Sequence, residues 1–159
     1  MPETENQLHK ALLKSDGGAR GNPGPAGVGF VLFADDGSIE YSGGRYLGEA
    51  TNNIAEYEAL IWGLEVAHFA GVTQITACAD SELVVKQING EYRVKHANLK
   101  PLHQKARALL QKFESFRVIY IPREQNKEAD FLVNEAIDAR GEVGNAPSSN
   151  EVSVSDTLF

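Results

Sequence analysis

The sequence has 159 residues, 42% of them apolar, which is the length of one domain with enough apolar surface for a core. Its longest apolar run near the amino terminus, Ala11-Leu12-Leu13, is bounded by Lys10 and Lys14, so neither a signal peptide nor a membrane span is expected. Twenty-two acids against fifteen bases give −7, which by itself argues against nucleic acid, and the single cysteine, Cys78, excludes an internal disulfide and points to a reducing cytoplasm.

Residues 1–8 are polar and read as a tail. Three apolar stretches follow, at 9–16, 27–34 and 39–47, separated by the Gly/Pro turn Gly21-Asn22-Pro23-Gly24-Pro25 and by Asp35-Asp36-Gly37-Ser38. They predict three antiparallel strands. The second turn lacks the later ligands of a calcium loop and reads as a hairpin. After Gly48 the apolar period changes: Ile54, Tyr57, Ile61, Leu64 and His68 recur at helical spacing, with Trp62 and Phe69 beside them, predicting a largely buried helix over 52–70 closed by Gly71. Ile75, Ala77 and Ala79 alternate into Asp80 as a short strand, and a helix over 81–89 ends at Gly90.

Residues 86–112 hold seven cations, Lys86, Arg93, Lys95, Lys100, Lys105, Arg107 and Lys112, against the single acid Glu91. On pattern alone this stripe is either a solvated helix face or a phosphate-binding surface. It includes a basic helix expected over 98–114. A last strand over 116–121 stops at Pro122, and a final helix covers 126–139. Residues 141–159 contain no Lys or Arg, three acids and a Gly/Asn/Pro/Ser cluster, and read as a polar tail. Three strands followed by alternating helix and strand predict a mixed five-stranded α/β sheet, antiparallel and then parallel, with helices on both faces and the folded unit over 9–140.

Four carboxylates stand at element ends: Asp16 closing the first strand, Glu56 in the first turns of the long helix, Asp80 at the end of the fourth strand, and Asp130 early in the last helix. Singly, each has a structural explanation. Asp16-Gly17 fits a turn, Asn53-Ile54-Ala55-Glu56 a capping box, Asp80 a helix N-cap, and Asp130 an exposed helix acid. Together they fall where such sheets bind ligands, beyond the carboxyl ends of parallel strands. Four converging acids repel unless cations lie between them, as in a two-metal phosphoryl-transfer site with ions roughly 4 Å apart, and an all-oxygen ligand set suits magnesium or manganese.

Ser15-Asp16-Gly17-Gly18-Ala19-Arg20-Gly21-Asn22-Pro23-Gly24-Pro25, Thr51-Asn52-Asn53-Ile54-Ala55-Glu56, Ala79-Asp80-Ser81 and Asn126-Lys127-Glu128-Ala129-Asp130 resemble, in order and spacing, the motifs of type 1 ribonuclease H over about residues 9–140. The resemblance implies an endonuclease that cuts the RNA strand of RNA/DNA hybrids with two Mg2+ or Mn2+ ions, leaving 5′-phosphate and 3′-hydroxyl ends. It implies Asp16, Glu56, Asp80 and Asp130 as metal ligands, with Asp16 and Asp80 bridging, Glu56 on the leaving-group side and Asp130 on the nucleophile side. Asn22, Asn52 and Asn53 match positions that read the ribose 2′-hydroxyl, and Thr51 matches a phosphate contact on the DNA strand.

The chain departs from the family pattern in three places. The basic helix and loop that serve better-known members as a substrate handle are absent between Tyr92 and Lys95, which leaves Lys95, His96 and Lys100 for phosphate contact. Glu82 stands where a glutamine is common, and His96 near where some members have an asparagine. No histidine lies between Ile121 and Asp130; Arg123 and Glu124 occupy the region where many members have a mobile histidine, and Arg123 is the better candidate for a catalytic role. Trp62, Phe69 and Cys78 read as core, and His68 and His103 as isolated helix residues. A monomer acting on a hybrid is expected, with no membrane, and the sequence points to no particular protein partner. A same-fold nuclease for double-stranded RNA and a non-catalytic nucleic-acid module are the alternatives.

Overall fold

The computed structural model describes residues 9–148 and 150–152, so the first expected tail, 1–8, and only the end of the second, 153–159, lie outside the described residues. The elements in chain order are β1 (Lys10–Ala19), β2 (Gly24–Ala34), β3 (Ile39–Ala50), α1 (Asn52–Phe69), β4 (Gln74–Ala79), α2 (Glu82–Ile88), α3 (Lys100–Leu110), β5 (Ser115–Tyr120), a 3-10 turn (Arg123–Gln125), α4 (Lys127–Ala139) and β6 (Glu142–Gly144). They form one mixed sheet in the order β5-β4-β1-β2-β3-β6. The β4–β1 and β4–β5 pairs are parallel, and the pairs among β1, β2, β3 and β6 are antiparallel.

The sheet therefore has six strands where five were expected. The sixth lies in the stretch read as a polar tail: Gly43, Gly44 and Arg45 of β3 pair with Gly144, Val143 and Glu142. Three residues are too few to show an alternating pattern, and their pairing uses backbone groups that composition does not report. Strand limits shift for the same reason. Gly17 and Gly18 continue β1 by pairing with Val28 and Gly27, and β2 begins inside the Gly/Pro turn, at Gly24. The basic helix is shorter than predicted, 100–110, with Pro101 in its first turn, where a missing N–H costs nothing.

Packing places α1 on one face and α4 on the other. On the α1 face, Gly63 is where Leu13 of β1 fits, and Trp62 meets Phe30 edge-on at 4.8 Å between ring centroids. On the opposite face Gly27, Gly29 and Gly44 leave room for α4 against bare strand backbone: a Cβ at Gly29 or Gly44 would stand 2.6 Å from the carbonyl oxygen of Ala129 or Leu132. The core includes Leu13, Phe30, Tyr57, Leu60, Leu64 and Leu110, and Trp62 and Cys78 are buried as predicted. Among the described residues no helix is long and apolar enough to cross a membrane.

Candidate active site

Register brings the first two acids together. Parallel pairing sets Ser15 opposite Ala79, so the residues that follow, Asp16 and Asp80, leave adjacent strands at one level. Glu56 arrives from α1. That helix starts with Thr51 as N-cap, its hydroxyl accepting from the Ile54 amide at 3.2 Å, rather than with the capping box read at Asn53. Glu56 is thereby released from a capping role, and its Oε1 accepts from the Gly17 amide at 2.8 Å. This approach needs glycine at 17, because a Cβ there would overlap the Ala55 carbonyl and stand 2.6 Å from the Glu56 amide nitrogen. Asp80 is not the cap of α2 either. Ser81 takes that role, accepting from the Val84 amide, and leaves the Asp80 carboxylate available.

Asp16, Glu56 and Asp80 each offer a ligand oxygen within 4.8 Å of the others. Asp130, in the first turn of α4, lines the same cavity without joining that tight group. Asp16 is 5% and Glu56 8% exposed. Burial, then the hydrogen bond and charge of Glu56, then the charges of Asp80 and Asp130 push the Asp16 carboxyl well above the usual carboxylate range. Burial also raises Glu56, opposed by its hydrogen bonds to Asp16 and Gly17 and by the charge of Arg123. Burial and mutual repulsion thus favour the less charged form of the cluster. Such a cluster is complementary to bound positive charge.

The cavity is open and has a volume of about 410 Å³. Asn52 and Asn53 line it, as does Arg123 from the 3-10 turn, whereas Glu124 does not. Asn22, on the β1–β2 loop, lies outside the lining, but its Oδ1 accepts from the Asn52 amide at 3.0 Å and the Asn52 Oδ1 accepts from the Ala19 amide at 2.8 Å. With both oxygens engaged by backbone, each carboxamide presents its N–H groups as donors. Lys95 and His96 lie outside the acid cavity in a neighbouring groove, with Asn53 forming a wall of both, and Lys100 is exposed at the start of α3.

The basic stripe is less uniform than its sequence. Lys86 pairs with Glu82 at 3.2 Å, Lys105 with Glu65 at 3.6 Å, and Arg107 donates to the Ile88 carbonyl. The sequence reading missed Asn126 as a separate contributor. It is 0% exposed, and its Nδ2 donates to the Ser15 carbonyl at 2.8 Å and to Asp80 Oδ2 at 3.1 Å. Its place before a helix was the available signal, but that place suggests a cap, and its side chain caps nothing.

The chain matches the reverse transcriptase-like family over residues 14–136. It is 46% identical to ribonuclease HI of Halobacterium salinarum over 138 residues, covering 87% of this chain and 68% of that protein. It is 44% identical over 131 residues to a bifunctional protein of Mycobacterium tuberculosis, covering 82% of this chain but 36% of the relative, so it spans about a third of that protein's length. Among solved structures it is similar to RNase H1 from Halobacterium salinarum, with a TM-score of 0.80 at 44% identity, covering 82% of this chain and 98% of that one. It is also similar to LC11-RNase H1 in complex with an RNA/DNA hybrid, with a TM-score of 0.78 at 42% identity and the same coverage of each chain.

Proposed function

The chain belongs to the type 1 ribonuclease H family, and from that premise we propose that it is a metal-dependent endonuclease hydrolysing the RNA strand of RNA/DNA hybrids to 5′-phosphate and 3′-hydroxyl ends. The observation that carries this reading is the meeting of Asp16, Glu56 and Asp80 within 4.8 Å beside an open cavity. Their all-oxygen donor set and mutual repulsion fit hard divalent cations, Mg2+ or Mn2+, two per site. When bound, such ions lower the pKa of an attacking water and neutralise the departing 3′-oxygen.

In this reading Asp16, Glu56, Asp80 and Asp130 would hold the ions, which would stabilise the leaving oxygen on the Glu56 side and activate a water on the Asp130 side. Gly17 holds Glu56 in place through its amide. Asn22, Asn52 and Asn53 select RNA: the N–H groups of Asn22 and Asn52 donate to a ribose 2′-hydroxyl, since their oxygens already accept from backbone. Thr51, Lys95, His96 and Lys100 contact phosphates. Arg123 acts at the cavity by charge, stabilising the scissile phosphate or assisting release without carrying a proton. The catalytic unit, expected over 9–140, takes in β6 as well and works as a monomer in the cytoplasm, a location the single cysteine supports.

One assay tests this. Matched RNA/DNA hybrid, double-stranded RNA and double-stranded DNA are each incubated with the protein and Mg2+ or Mn2+. Cleavage is expected in the RNA strand of the hybrid alone, and Asp16→Asn or Asp80→Asn should abolish it while hybrid binding survives. Turnover within tenfold of the parent for either variant removes that residue from the site. Equal cutting of double-stranded RNA overturns the assigned specificity.

A further inference from the structure

One buried residue, Asn126, reaches the elements that carry three of the four acids. The Asn126 Nδ2 donates to the carbonyl of Ser15, the residue before Asp16, and to the carboxylate of Asp80. Both partners are acceptors, so the network itself fixes which end of the carboxamide faces them. The Asn126 carbonyl accepts from the Asp130 amide at 3.1 Å, which sets the first turn of α4. One residue thus touches the strand that carries Asp16, the Asp80 side chain itself, and the turn that carries Asp130.

Packing and capping do not account for an asparagine here. The site is fully buried, where an apolar residue avoids the cost of dehydrating an amide. Asn126 stands immediately before α4, yet its side chain makes no cap bond, and its Oδ1 has no donor among the described residues. The bonds that remain are those of its donor end. They join β1 to the end of β4 at the level where Asp16 and Asp80 emerge, and they hold one oxygen of Asp80 while leaving the other to a ligand.

We propose that Asn126 is the positioning residue of the acidic site. It fixes the orientation of Asp80 and the spacing of Asp80 from Asp16, and so sets how tightly the pair holds divalent cations. This rests on the metal-dependent reading above. Groups that orient metal ligands from behind typically change metal affinity or activity 10- to 100-fold when removed.

The test is a Mn2+ titration of the protein alone, with free ion followed by electron paramagnetic resonance, beside steady-state hybrid cleavage. Asn126→Ala should weaken Mn2+ binding about 10- to 100-fold and lower kcat by a similar factor, with KM for the hybrid within about twofold. Asn126→Ser, whose hydroxyl suits a helix start and guards against failure to fold, should weaken Mn2+ binding by the same order. In the Asp80→Asn background, Asn126→Ala should cause little further loss, because it acts through a carboxylate already removed. Folded variants that bind Mn2+ and turn over like the parent, whatever their melting temperatures, overturn the proposal. So does a loss that adds in full to that of Asp80→Asn. A parent that neither binds Mn2+ nor cuts hybrid refutes the metal-dependent reading instead.

Discussion

Gly17→Ala should damage both fold and activity, because the obstacle to a Cβ is backbone. The added carbon would overlap the Ala55 carbonyl and stand 2.6 Å from the Glu56 amide nitrogen, about 0.8 Å inside the 3.4 Å at which ordinary contact begins. No side-chain rotation relieves this, so α1 must move off β1 by at least that distance at its amino end. Overpacking of a tight core costs about 1–3 kcal/mol; with backbone on both sides the upper end applies, and about 3 kcal/mol corresponds to a Tm drop of roughly 6–12 °C for a chain of this size. The same movement stretches the 2.8 Å bond that holds Glu56. Since a misplacement of about 1 Å can cost a hundredfold in rate, kcat should fall by about that factor. Gly18→Ala is the control for stability, because its nearest neighbour would be Asn52 Oδ1 at 4.0 Å. Thermal melts of both variants with and without Mg2+, and hybrid turnover of Gly17→Ala, decide the matter. A Gly17→Ala protein as stable as Gly18→Ala and as active as the parent refutes the close-approach argument.

The acid cluster makes stability depend on pH and cations. Asp16 and Glu56 have native pKa values above the usual 3.8 and 4.5, so the unfolded chain ionises first as pH rises, and the metal-free protein loses stability from about those values upward. Melting should show Mg2+ or Mn2+ raising Tm more at pH 8 than at pH 6, and Asp80→Asn raising the metal-free Tm; a Tm indifferent to both ions at concentrations that support cleavage argues against a shared site. Reversing Lys95 and Lys100 to Glu should weaken hybrid binding and flatten the plot of log K against log salt by about two units, leaving single-turnover chemistry intact; unchanged affinity makes the stripe a solvated face. Arg123→Ala should reduce turnover about ten- to a hundredfold, or about 1.4–2.7 kcal/mol, and Glu124→Ala less, as measured at saturating metal and substrate; a larger loss at Glu124 reverses the assignment.

The sequence revealed what side chains encode and missed what backbone geometry decides. The long helix was legible from the period of Ile54, Tyr57, Ile61 and Leu64, and the order of strands and helices from their alternation. Strand ends were not, because Gly17, Gly18 and Gly24 are poor strand formers that the sheet holds through hydrogen bonds alone. The four acids were conspicuous as residues at element ends, but their spacing depends on the Ser15–Ala79 register, which no local pattern reports. The two cap readings failed for a similar reason. Thr51 and Asn53, like Asp80 and Ser81, are neighbours with similar capping chemistry, and tertiary position decided which of each pair served.

Tertiary position also bears on how an acidic protein would accept the polyanion of the proposed function. Sequence counts suggested a continuous basic stripe, yet Lys86 and Lys105 are engaged with Glu82 and Glu65, and Arg107 with a carbonyl. Lys95 and His96 instead line a groove that meets the acid cavity at Asn53. Under the proposed function, phosphate contacts and cation ligands would occupy adjoining spaces, and the residue common to both linings is the neutral Asn53. Binding would then rest on few phosphate contacts and discrimination would fall to the amides of Asn22 and Asn52, whose oxygens already accept from backbone.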